Sequence, residues 1–112
     1  MFRFRYCLLL WVTLVGGVAC AADDQAVVTK VVAEQLRADP SAVGLDEPLS
    51  AVGKGADPLD VIEIHMAIER TLHIEISDKT VESVIGSTKT DDYPSRTTVR
   101  KLTQMVSISR QK

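Results

Sequence analysis

From Val27 onward, apolar residues return every three or four positions: Val27, Val28, Val31, Val32 and Leu36, with Gln35 on the same side. This spacing predicts a helix over residues 24–36 with one face on a core. Valine is a poor helix former, so packing rather than propensity must hold the segment. The pattern then breaks at Pro40, Gly44, Pro48, Gly53 and Gly55, which interrupt regular structure. Val43, Leu45, Leu49 and Val52 run through this stretch. A wholly solvated loop has no use for them, so the connection is expected to lie pinned on the core. Ser41 is placed to cap one short turn within it.

Asp57-Pro58 opens the clearest element. Asp caps a helix well, and proline fits the first helical position, where its missing N–H has no partner to lose. Asp60 falls in the first turn, where the helix dipole favours an anion. Leu59, Ile62, Met66 and Ile68 follow, and Val61, Ile64 and Ala67 widen the apolar face of a helix running to about Thr71. Met66 is expected in the core, as is Met105. Ile74-Glu75-Ile76 alternates but has no partner strand in view, so an extended linker is expected. Ser77 then caps a short helix from Asp78 to about Val84, ended by Gly86. Ser87 to Arg96 is polar and reads as a surface loop. Thr97 or Thr98 caps a last helix with Val99, Leu102, Met105 and Val106 on one face. From Ser107 the chain reads as a basic, frayed end, with residues 108–112 as a tail. The elements predict an all-α domain over residues 22–107.

The N-terminus is different in kind. Arg3 and Arg5 precede an uncharged apolar run from Tyr6 to Ala22, too short to cross a bilayer comfortably. A basic start, a short apolar run and small residues at its end mark a signal peptide over residues 1–21. Two cleavage routes fit. Gly16-Gly17-Val18-Ala19-Cys20 resembles a bacterial lipoprotein box, with Gly17 where the box carries Leu; cleavage after Ala19 then leaves Cys20 for lipidation and membrane anchoring. Ala19-Cys20-Ala21 also fits ordinary small-x-small cleavage. The lipoprotein route is preferred. Either way the mature domain is expected outside the cytoplasm.

Removing this leader changes the composition. Both cysteines, Cys7 and Cys20, lie in it or at its edge, so the folded part has no disulfide and no thiol site. Tyr93 becomes the sole aromatic residue. A stacking platform for bases needs several aromatic faces, and the remaining 11 cations against 15 acids offer phosphates little. Nucleic acid is therefore excluded as a partner. Charge is also uneven: Asp39 to Glu82 holds ten acids and three cations, whereas Lys89 to Lys112 holds six cations and two acids.

At the second helix the sequence becomes specific. Gly55-Ala-Asp-Pro-Leu-Asp-Val-Ile-Glu-Ile-His-Met-Ala-Ile-Glu69 resembles the signature of acyl carrier proteins, which reads Gly-Ala-Asp-Ser-Leu-Asp before an apolar-acidic helix containing Met-Ala-Leu-Glu. Ile74-Glu-Ile-Ser-Asp78 is similar to the family's Ile-Glu-Ile-Pro-Asp, and Val31-Val-Ala-Glu-Gln-Leu36 to the end of its first helix. The resemblance runs from about Val27 to Val106. It implies a bundle of three longer helices and one short one.

The resemblance also implies a loss. Carriers are modified on the Ser after Gly-Ala-Asp, whose hydroxyl forms a phosphodiester with 4′-phosphopantetheine. Pro58 occupies that position here and has no hydroxyl, and no Ser, Thr or Tyr lies between Val52 and Arg70. Ser50 and Ser77 do not align with it. No cofactor is therefore expected. Coenzyme A, which donates the arm, is a cytoplasmic metabolite, and an exported chain would not meet it. A longer Ser87–Arg96 stretch is a second departure from the family.

By the same resemblance, Asp57, Asp60, Glu63 and Glu69 form an acidic face for docking a partner protein, aiding encounter rate more than affinity. Carriers can shelter an acyl chain in the core, so a noncovalent apolar ligand is the alternative reading. A carrier armed at another hydroxyl is the least favoured. His65 and His73 lack the third ligand that zinc normally needs, and read as surface or boundary histidines. The acids have no nucleophile or oxyanion donors beside them, so enzymatic activity is not expected.

Overall fold

The computed structural model describes residues 23–111, and in them every regular element is helical. Helix α1 is helical from residue 23 to residue 36. It is followed by α2 (Pro58–Leu72), α3 (Asp78–Ile85), a four-residue α4 (Tyr93–Arg96) and α5 (Val99–Arg110). Each cap has a local cause. Asp57, Ser77 and Thr98 accept from the backbone N–H three residues on, at Asp60, Thr80 and Lys101. Gly86 ends α3 in the left-handed region at φ 79°, and His73 ends α2 there at φ 54°.

The core gathers one side of each long helix. Val28, Val32 and Leu36 of α1 meet Val61, Ile64 and Ile68 of α2, Val81 and Ile85 of α3, and Val99, Leu102, Met105 and Val106 of α5. The irregular connection 37–57 joins this core as its apolar residues require. Leu49 and Val52 are buried, and Leu45 packs against the cluster. Its backbone is stitched to both neighbours: Lys54 N–H donates to Leu36 C=O, Leu49 N–H to Thr97 C=O and Arg100 N–H to Leu45 C=O. Gly53 sits at φ 52° where a Cβ would stand 2.5 Å from the Leu36 carbonyl oxygen. Only glycine lets the connection pass the end of α1 so closely.

Four expectations need correction. First, α2 turns Val61, Ile64 and Ile68 inward, while Leu59, Ile62 and Met66 are 62%, 37% and 51% exposed. At 3.6 residues per turn the two stripes lie roughly 160° apart, and the bundle covers only one. Met66 is therefore not a core residue. Second, residues 87–96 are not a surface loop. A 3₁₀ turn (Thr90–Asp92) leads into α4, which buries Tyr93 and Pro94. Third, α5 does not fray at Ser107. It runs through Arg110, whose guanidinium grips the Asp24 carboxylate in two hydrogen bonds of 3.0 and 2.9 Å. Fourth, the short turn Pro40–Ala42 is capped by Asp39, which accepts from both the backbone and the hydroxyl of Ser41.

Candidate functional site

The first turn of α2 is a closed set of hydrogen bonds. Asp60 N–H donates to Asp57 Oδ1 at 2.8 Å, and Asp57 N–H donates back to Asp60 Oδ2 at 3.2 Å. This reciprocal box satisfies two orphan donors at once. Lys54 Nζ lies 3.4 Å from the same Asp60 oxygen. The Asp57 N–H bond, aided by Lys54 and against the cost of burial, holds the Asp60 carboxyl below its usual range. Pro58 fills the first helical position between them, half-buried.

The four acids expected to form one docking face are thus divided by the fold. Asp57 is exposed, with one carboxylate oxygen committed to the cap. Glu63 is exposed and accepts from Gln35 Nε2 of α1 at 3.2 Å. Asp60 is buried and serves the cap and Lys54, so it offers no free charge to a partner. Glu69 is half-buried near the other end of α2, where Oε2 accepts from Ile76 N–H at 2.9 Å and fastens the α2–α3 linker to the helix. What lies open beside Asp57 and Glu63 is the apolar stripe of Leu59, Ile62 and Met66. The helical spacing of these three residues signals it in the sequence, but spacing alone does not say which of two stripes is covered.

A second feature sits where α2, α3 and the segment leading into α4 meet. A cavity of about 420 Å³ opens there, with Ile62, His65, Met66 and Glu69 of α2 on one wall and Asp78, Val81 and Glu82 of α3 on another. Tyr93 also lines it, its ring 6.4 Å from the His65 imidazole and tilted by 44°. His65 Nε2 is buried without a hydrogen-bond partner. Burial pushes the His65 pKa down, with Glu69 opposing. Burial, then Glu82 and Asp78, push the Tyr93 phenol up. His65 is thus a cavity residue, and His73 is the exposed C-cap of α2. No cluster of three metal-ligating side chains occurs among the described residues. Cys20 and the leader 1–21 lie outside them.

With this geometry in view, the comparisons with known proteins are specific. The family described as "Phosphopantetheine attachment site" matches residues 26–85, more than half of the chain. The chain belongs to the acyl carrier protein family. It is similar to the acyl carrier protein of Campylobacter concisus, 42% identical over 59 residues, which is 53% of this chain and 75% of the relative. It is likewise similar to that of Campylobacter curvus, 39% identical over 66 residues, covering 59% of this chain and 84% of the relative. The acyl carrier protein of Campylobacter hominis is 45% identical over 59 residues, 53% of this chain and 73% of the relative. No solved structure matches. The family match takes in α1, α2 and α3 and ends at Ile85, the last residue of α3. The resemblance drawn from the sequence reached Val106, so the carrier family match stops short of α4 and α5.

Proposed function

We propose that this chain is an exported, non-catalytic carrier-like domain that takes no phosphopantetheine and works by docking another protein on α2. One observation carries the reading. Pro58 stands where carriers have their modified Ser, inside a helix start that is otherwise intact. The capping box keeps the helix, and the missing hydroxyl removes the ester. The exposed Leu59–Ile62–Met66 stripe, flanked by Asp57 and Glu63, supplies the apolar centre and charged rim that protein interfaces favour. The basic start and apolar run of residues 1–21 support export, with Cys20 as the point of lipid anchoring.

A noncovalent apolar ligand is the second reading. Ile62, Met66 and Val81 on the cavity wall favour it.

The test of the first reading is chemical. The purified chain and its Pro58→Ser variant are incubated with coenzyme A and a phosphopantetheinyl transferase, and intact masses are compared. The native chain stays unmodified and the variant gains one phosphopantetheine. A gain of the arm on the native chain overturns the reading and restores an acyl-carrying role at another hydroxyl. The companion measurement is the intact mass of the protein from its own cells, where export predicts loss of the leader.

A further inference from the structure

Two methionines stand among the described residues, and the fold treats them in opposite ways. Met105 of α5 is fully buried in the core, whereas Met66 of α2 is 51% exposed. At 3.6 residues per turn Met66 falls roughly 20° from Leu59 and 40° from Ile62 around the helix, between the two, so its thioether occupies the middle of the outer stripe. It also lines the α2–α3 cavity. Leu59 and Ile62 end in inert hydrocarbon, so Met66 is the oxidisable member of the stripe. Oxidation turns a flexible apolar side chain into a polar one. Met66 is not part of the core cluster, so that change falls on the surface and leaves the packed interior untouched.

We propose that Met66 is an oxidative modification site, at which a hydroperoxide switches the outer stripe of α2 from apolar to polar while the bundle stays folded. A sulfur lone pair attacks the terminal peroxide oxygen, the sulfur–oxygen bond forms and the O–O bond breaks. The proton on the transferred oxygen passes to the departing one, which leaves as an alcohol, or as water from hydrogen peroxide. Sulfur is oxidised to the sulfoxide and the peroxide is reduced. Methionine sulfoxide reductases remove the oxygen again with a thiol reductant, so the switch is reversible. Met105 is enclosed by the core and reacts only when the fold opens. The modification itself needs no partner; that it releases a docked protein rests on the docking reading.

The test treats the purified full chain and its Met66→Leu variant with hydrogen peroxide and follows Met66 and Met105 separately by peptide mass mapping. In the folded chain Met66 gains an oxygen at least about tenfold faster than Met105, and the two rates converge in concentrated urea. Retention on a hydrophobic-interaction column then falls for the native chain and holds for Met66→Leu treated in the same way. Methionine sulfoxide reductases with dithiothreitol restore the native retention. The melting temperature of the chain oxidised at Met66 stays within about 4 °C of its starting value. Equal rates at Met66 and Met105 in the folded chain, retention unchanged by full oxidation of Met66, or loss of cooperative melting on that oxidation overturns the inference. All of these are read without a partner, so failure of the docking reading leaves them as they are.

Discussion

On α2, Val61, Ile64 and Ile68 lie under the bundle, and Leu59, Ile62 and Met66 lie in water on nearly the opposite side. Both stripes use large aliphatic or thioether side chains at i, i+3 and i+7. The inner stripe faces apolar residues of α1, α3 and α5, whereas the outer stripe meets the rest of the chain only where Ile62 and Met66 line the α2–α3 cavity. The inner one stabilises the fold; the outer one leaves apolar surface that another molecule can cover. A stripe's composition therefore does not assign its role. What decides it is which neighbours the rest of the chain folds back onto it.

The comparison can be broken most sharply from the inside. Ile64→Ala removes a fully buried side chain and is expected to cost about 2–5 kcal/mol, read by urea denaturation. A loss near 0.5 kcal/mol would mean that the two stripes had been exchanged.

The cap gives an intermediate effect with a pH signature. The Asp60 pKa is lower in the fold than in the unfolded chain, so its ionised form stabilises the native state. That contribution is complete above the ordinary carboxylate value near 4 and is lost as pH falls through the lowered folded value. Asp60→Asn is expected to cost about 1 kcal/mol at pH 7 and to flatten the acid limb of a plot of melting temperature against pH.

Leu59→Ser on the outer stripe is expected to change stability by no more than about 0.5 kcal/mol. Its effect should appear instead as loss of a partner that co-purifies with the native chain. A large drop in melting temperature would assign Leu59 to the core after all.

Legibility in the sequence followed the range of the interactions. Asp57-Pro58, Ser77 and Gly86 act within a turn of where they stand, so the starts of α2 and α3 and the end of α3 could be placed from neighbouring residues. α2 is apolar nearly all round, and its inward side is chosen by helices distant in the chain. Tyr93 was hidden for the opposite reason: one ring among polar residues gives no period, yet it anchors α4. Asp60 and Glu69 look like surface acids until their backbone partners, Asp57 N–H and Ile76 N–H, are known. Arg110 and Asp24 are 86 residues apart, and no local rule connects them.

That last pair has a mechanical consequence. Because Arg110 holds Asp24 through two short hydrogen bonds, the first and last turns of the described fold share one corner. The path of the chain is nearly a closed ring. A pull applied at either end of the described residues therefore acts on the same corner, and the Arg110–Asp24 pair links α1 to α5 there.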